Sequence, residues 1–252
     1  MYTDVHCHLL PGVDDGVKTW EDSLACLKMA REEKVSSVLV TPHIWPGKYP
    51  NTPEGLLAVF EPWRDRARDL GLDLHLGSEV YFLGHLAEHW ASGAYRAMGD
   101  AARYLLVELP LLVMPQGVAQ GFYELRLKGV EPVLAHPERY PYVAKDPSRV
   151  EPLASAGVAF QLTTHSVAGL FGGGIQKAAF DLMERGWVHV LASDSHSPVN
   201  RAPMFRQAVR VVANRYGTEA ARRLCVDNPR RILAGEPLLP VPCERPQRRF
   251  WS

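Results

Sequence analysis

Short apolar runs alternate with longer amphipathic stretches along most of the chain. The runs that predict strands are YTDVHCH (2–8), SSVLVTPH (36–43), LDLHLGSE (72–79), RYLLVEL (103–109), EPVLAHP (131–137), GVAFQLT (157–163) and WVHVLASDSH (187–196). Several are almost continuously apolar, as strands covered on both faces are. Between them, helices are predicted over 20–34, 54–70, 117–128, 173–185 and 202–216. The first of these places Leu24, Leu27 and Ala30 near helical spacing, and Thr19 stands where a cap belongs. Strand–helix alternation repeated in this way specifies an α/β fold with a parallel sheet, either doubly wound or closed into a barrel. No GxGxxG follows the first strand, so a dinucleotide fold has no fingerprint in its support. After Pro240 the chain changes character to VPCERPQRRFWS. Residues 1–240 are therefore expected to form a single domain. The remainder, 241–252, is expected to be a poorly ordered tail rather than a docking segment for a partner.

A chain of 252 residues buries about three quarters of its unfolded surface on folding, enough for a substantial core without disulfides. Its 28 basic residues equal its 28 acidic ones. No global field exists to hold nucleic acid or an anionic membrane, so any anion must be captured locally. Cys7, Cys26, Cys225 and Cys243 form no CxxC pair, which fits a reduced, cytoplasmic protein. The N-terminus MYTDVHCH lacks signal-peptide regions, and no apolar run is long enough to span a bilayer. Membrane insertion is not expected.

Polar residues change this picture because of where they fall. The predicted strands end in His6 and His8, His43, Glu79, Glu108, His136, and Asp194 with His196. In barrels and open parallel sheets, ligands sit at the C-terminal ends of strands, so one face gathers eight potential metal ligands. Strand alternation puts Asp4, His6 and His8 on one side and Cys7 on the other. The turn PGVDDG (11–16) then folds Asp14 or Asp15 back toward the histidines. A lone buried histidine is ordinarily a satisfied core residue. A cluster of unpaired imidazoles and carboxylates is too costly to bury without cations. The mixed nitrogen and oxygen donors favour Mn²⁺, Fe²⁺, Zn²⁺ or Mg²⁺ over Cu(I) or an iron–sulfur cluster. The ligands exceed one coordination sphere, which implies two or three ions.

The stretches DVHCHLLPGVDDG (4–16), TPH (41–43), GSE (77–79), VEL (107–109), AHPERY (135–140), QLTTHSVAGLFG (161–172) and SDSH (193–196) resemble the polymerase and histidinol phosphatase (PHP) superfamily. The resemblance is closer to its bacterial protein-tyrosine phosphatases of capsule and exopolysaccharide biosynthesis, for which HxHxLPGVDDG together with HPERY is specific. It implies a distorted (β/α)₇ TIM-like barrel with a trinuclear metal centre, manganese being the expected metal. His6, His8, Glu79 and Asp194 would hold the first ion. Glu79 would bridge to a second held by Glu108 and His136, and Asp15, His43 and His196 would hold the third. By motif position, Asp15 is preferred to Asp14. Ser78 stands where the family often has Asn, which leaves the ligands untouched.

The resemblance further implies hydrolysis of a phosphomonoester by attack of a metal-bridging hydroxide on phosphorus, with Arg139 and Arg201 as bidentate phosphate clamps. Trp45, Tyr81 and Phe82 lie after ligand-bearing strands and are candidates to flank an aromatic substrate ring. The glycines of GLFGGG (169–174) either cradle phosphate or form a flexible loop. His75, His85, His89, His165 and His189 are read as structural or surface residues. A competing motif, CVDNPRR (225–231), matches the C-x₅-R skeleton of cysteine-dependent phosphatases but lacks phosphate-wrapping glycines. It reads better as Asn228 capping a helix with Pro229 at its first position. The expected substrate is a phosphotyrosyl bacterial tyrosine kinase. The alternatives are a small phosphomonoester such as histidinol phosphate, or a non-catalytic metal-stabilised module.

Overall fold

The structure, a computed structural model, describes residues 1–243. The apolar runs form nine strands among the described residues: β1 (Tyr2–Asp4), β2 (Val35–Val40), β3 (His43–Ile44), β4 (Asp73–Leu76), β5 (Glu79–Tyr81), β6 (Tyr104–Glu108), β7 (Glu131–Ala135), β8 (Ala159–Thr163) and β9 (Val188–Ala192). Every pairing is parallel, in a three-stranded sheet ordered β1-β2-β4 and a six-stranded sheet ordered β3-β5-β6-β7-β8-β9. The fold is thus α/β with parallel sheets, as the alternation predicted.

Two predicted strands divide. The run 36–43 breaks before His43 because Pro42 has no N–H to donate to a ladder. The run 72–79 breaks at Gly77 and Ser78, where Ser78 Oγ turns to the Arg96 carbonyl at 2.7 Å. The first halves, β2 and β4, pair in the small sheet, and the second halves, β3 and β5, pair in the large one. Backbone hydrogen bonds stitch the sheets together beyond β1. Asp194 N donates to His6 O at 2.8 Å and His8 N donates to Ser195 O at 2.8 Å.

Strands buried on both faces sort their side chains into two cores. Leu105 and Val107 of β6 pack outward with the helices, in the large cluster that also holds Phe60, Phe122 and Phe160. Leu106 faces the other way, into a smaller cluster with Leu39, Val133, Ala159, Val190 and Ala192. That inner cluster draws on strands of both sheets.

Helices follow the predicted pattern with shifted ends. Thr19 caps the helix Trp20–Glu32, its hydroxyl accepting from Asp22 N. The segment 54–70 is an α-helix over Pro53–Ala67 and a 3₁₀ turn over Arg68–Leu70. Helices Val118–Leu127 and Gly173–Glu184 lie within their predicted ranges. The segment 202–216 becomes helical only at Arg206. Asn228 does not cap a helix. The backbone is already helical at Arg222 and continues through a π-helical turn into Asn228–Ala234. The buried Asn228 amide instead bonds the His189 carbonyl and both backbone groups of Leu239. Of the tail, Cys243 is buried; residues 244–252 lie outside the described chain. Among the described residues no helix is long and apolar enough to cross a membrane.

Candidate metal centre

The turn after β1 is shaped by Gly16. A Cβ there would come within 2.0 Å of the His8 carbonyl oxygen, so only glycine lets the DDG turn close against the histidine backbone. That closure sorts the two acids. Asp14 is buried, with Oδ2 2.7 Å from His8 Nδ1 and 3.0 Å from His43 N, and Oδ1 accepting from Gly16 N. Asp15 stays half-exposed, its carboxylate 3.4 Å from His43 Nε2 and 3.6 Å from His196 Nε2. Asp14 therefore holds His8 from behind, leaving the imidazole's Nε2 to face the cluster. Gln161 of β8 does the same for His6, with Oε1 2.8 Å from Nδ1.

All nine predicted ligands come together. Four sets each place their ligand atoms within 4.8 Å of one another: His8, Asp15, His43 and His196; His6, His8 and Asp194; His6, Glu79 and His136; His43, Glu79 and Glu108. The sets overlap differently from the partition that the resemblance implied, with His8 reaching the Asp15 group and His43 reaching Glu79. Glu79 is central. Its Oε2 lies 3.2 Å from both His6 Nε2 and His8 Nε2 and 3.3 Å from His43 Nδ1, while Oε1 lies 3.1 Å from His136 Nε2. Cys7 points away, its thiol toward the Leu39 carbonyl.

Charge at the centre is unbalanced. Burial alone would raise the Glu79 pKa, but His6, His43 and the hydrogen bonds of His136 and His6 hold it well below the usual range. Burial and the charges of Glu79 and Asp194 push Glu108 up to about 9. Opposite shifts of this kind mark carboxylates sharing one site. Asp194 is held well below its ordinary value, the cost of burial being outweighed first by Arg201 and His6. Burial lowers both His136 and His196 to about 4. Neutral His136 and His196 and ionised Glu79 and Asp194 are in the states that bind metal, whereas at His6 and His8 the neighbouring carboxylates outweigh burial and raise the pKa.

Two of the predicted ligands sit in strained backbone. His136 has φ 32° and Asp194 has φ 51°, a left-handed region that costs a non-glycine residue on the order of 1–3 kcal/mol. His136 immediately follows β7 and Asp194 lies two residues after β9, where the turn aims the side chain inward. Arg139 Nη1 donates to Asp194 Oδ2 at 2.5 Å, and Arg201 Nη2 contacts the same oxygen. Both arginines therefore meet beside the cluster.

The aromatic candidates separate by strand alternation. Trp45 and Tyr81 stack with ring centroids 3.7 Å apart, and Tyr49 lies 5.4 Å from the His43 ring. Phe82, the next residue after Tyr81, is buried at 4 % exposure and packs edge-on to Phe122. It is not at the mouth, a correction that follows from its pointing to the opposite face of the strand. Cys225 is fully buried, and burial raises its thiol pKa far above the ordinary value, so the C-x₅-R skeleton carries no nucleophile. Among the unassigned histidines, His75 pairs with Asp73, His85 with Glu88, and His89 stacks on Tyr95. His189 Nδ1 meets the Trp187 carbonyl. His165 is buried instead beside the arginines. The sequence offered Asp14 only as the less favoured ligand and gave Gln161 and Asp4 no role; Asp4 accepts from Ser193 N at 2.9 Å and fixes the approach to Asp194.

The residues fit divalent cations. Among the described residues, five carboxylates (Asp14, Asp15, Glu79, Glu108 and Asp194) meet two guanidinium groups here, and His43 Nδ1 and His136 Nδ1 are buried without hydrogen-bond partners. Oxygen and imidazole donors of this kind suit Mn²⁺, Fe²⁺, Zn²⁺ or Mg²⁺.

Comparisons with known proteins show what the chain is similar to. The sequence profile of the family described as "Capsular polysaccharide synthesis, CpsB/CapC" matches residues 2–234. The chain is 31% identical over 248 residues to the tyrosine-protein phosphatase YwqE of Bacillus subtilis, covering 98% of this chain and 97% of that one. It is 31% identical over 237 residues to the tyrosine-protein phosphatase CpsB of Streptococcus pneumoniae, covering 91% and 97%. A crystal structure from work on those two proteins, described as unique metal-dependent tyrosine phosphatases, superposes with a TM-score of 0.91. It is 30% identical and covers 98% of this chain and 100% of that one.

Proposed function

The chain belongs to the CpsB/CapC family of capsular polysaccharide synthesis, and from that premise we propose that it is a metal-dependent protein-tyrosine phosphatase. Its substrate is a phosphotyrosyl bacterial tyrosine kinase of capsule or exopolysaccharide synthesis, and it works in the cytoplasm. The observation that carries this reading is the convergence of nine ligand side chains with Arg139 and Arg201 on Asp194.

His6, His8, Asp15, His43, Glu79, Glu108, His136, Asp194 and His196 hold two or three divalent ions, manganese being the expected one. Ions held there lower the pKa of bound water and neutralise charge on phosphoryl and leaving oxygens. Asp14 and Gln161 fix the ring orientation of His8 and His6. Arg139 and Arg201 offer planar N–H edges to the phosphoryl oxygens. The stacked Trp45 and Tyr81 form a wall for the substrate ring. A tyrosine phenolate, with a pKa near about 10, leaves with little protonation, so no strong general acid is required. Residues 1–240 form one domain, a distorted (β/α)₇ barrel. The inner cluster drawn from both sheets and the backbone bonds between the β1 and β9 extensions support that closure.

The test is turnover of a phosphotyrosyl peptide against histidinol phosphate with Mn²⁺ present. Preferential hydrolysis of the peptide is expected, abolished by a chelator and retained in Cys225→Ser. Preference for histidinol phosphate, or loss of activity in a folded Cys225→Ser protein, would overturn the assignment.

A further inference from the structure

The turn after the short helix Thr164–Ala168 brings Phe171 back over that helix. Gly169 ends the helix in the left-handed region, Leu170 N donates to the His165 carbonyl at 3.0 Å, and Gln176 Nε2 holds the Val167 carbonyl at 2.9 Å. The Phe171 ring stacks on the His165 imidazole, centroids 5.4 Å apart and planes 21° from parallel. The Arg139 guanidinium lies over the same Phe171 ring, 5.5 Å from its centroid. The segments carrying these residues are also tied by backbone: buried Glu138, next to Arg139, accepts from Thr163 N at 2.8 Å.

Arg139 is thus held twice. Asp194 takes an N–H edge at 2.5 Å, and Phe171 lies against its π-face. The two contacts differ in what they leave available. All five guanidinium donors lie in the plane, so a carboxylate competes with phosphate for them, whereas an aromatic face does not. His165 is 6 % exposed, and its Nδ1 has no hydrogen-bond partner. An orphaned buried nitrogen is unfavourable, and the contact that accompanies it here is the ring stack. Burial, then the charge of Arg201, lowers the His165 pKa, so a neutral ring, not a second cation, backs Phe171.

We propose that Phe171, backed by His165, is a positioning residue for Arg139: the stacked pair supports the guanidinium through its face, so that the N–H donors not taken by Asp194 stay free for phosphoryl oxygens. The pair has this role only where Arg139 binds the phosphoryl group, as proposed above.

The experiment measures inhibition by inorganic phosphate, KM and kcat with p-nitrophenyl phosphate, and bound metal, all on the metal-loaded enzyme. Phe171→Leu should raise the phosphate inhibition constant and KM together, roughly two- to thirtyfold, the span a cation–π contact supports. Its kcat should change less and its metal content should hold. Phe171→Tyr should behave as wild type, and His165→Phe should too, because it keeps the stacked ring. Arg139→Ala/Phe171→Leu should be no weaker than Arg139→Ala alone, since coupled residues are not additive. Phe171→Met gives the same comparison if Phe171→Leu does not fold. Wild-type phosphate inhibition in Phe171→Leu with weakened inhibition in Arg139→Ala would overturn the pairing while leaving the arginine's role intact. Unchanged inhibition in Arg139→Ala would overturn the arginine's role itself. Additive effects in the double variant, metal loss in Phe171→Leu, or phosphate binding lost in His165→Phe would each overturn the positioning role.

Discussion

Asp14 and Asp15 are chemically identical neighbours with different surroundings. Spacing shows that either can fold back toward the histidines. What separates them is the Gly16 turn pressed on the His8 backbone and the Asp14 bonds to Gly16 N and His43 N, which bury the first acid and leave the second half-exposed. A partner behind an imidazole fixes its tautomer and typically affects metal affinity by about 10–100-fold. Asp14→Asn keeps an acceptor oxygen but removes the charge facing His8 Nδ1. It is expected to weaken Mn²⁺ binding by about tenfold, the low end of that range, as read by titrating Mn²⁺ into metal-free protein. Unchanged affinity would mean that His8 is oriented without the Asp14 charge. The clustered histidines and carboxylates were legible because they stand out at the ends of apolar strands. Gln161 was not, because a glutamine inside an apolar run reads equally as a strand residue. Phe171 was hidden for a related reason, since its partners lie on the short helix before it and on the segment after β7.

At the scale of elements, the 3.6 and 2.0 periods located strands and helices, while their ends were set by contacts remote in sequence. The helix Arg206–Tyr216 starts four residues later than its pattern because Glu33, from the end of the first helix, supplies its cap. Glu33 Oε2 accepts from Phe205 N at 2.8 Å and Arg206 N at 2.7 Å, and its 172-residue separation from Phe205 hides it from any local reading. Burial would raise its pKa, but the hydrogen bonds of Arg206 and Phe205 outweigh that and depress it. A depressed carboxylate contributes stability above its unfolded pKa and loses it as pH falls through the folded value. Glu33→Ala is therefore expected to cost about 1–2 kcal/mol at pH 7, with the deficit shrinking as pH falls below the ordinary glutamate range. Urea unfolding of both proteins at pH 7 and near pH 4 checks this. A deficit that grows toward low pH would show that the cap is not ionised.

For the whole molecule, the alternation revealed an α/β fold with parallel sheets, but not the division into two sheets, which depends on the Pro42 and Gly77–Ser78 breaks. That division gives the metal centre a structural consequence. His6 and His8 extend from β1 of the small sheet, whereas His43, Glu79, Glu108 and His136 lie on or just after strands of the large one. Cations bound among them would tie the two sheets and offset the charges of Glu79 and Asp194 that, with burial, push Glu108 up to about 9. A ligand that binds only the folded state at a hundred times its dissociation constant adds about 2.7 kcal/mol. In a chain of this size that corresponds to a rise in midpoint of roughly 5–10 °C. Calorimetry of metal-free and Mn²⁺-saturated protein should show that rise, reversed by a chelator. Glu79→Gln, which removes the charge shared by the contacts to His6, His8, His43 and His136, should show much less of it. Equal midpoints with and without metal would mean that the cluster is held by its own hydrogen bonds and that ions contribute nothing to joining the sheets.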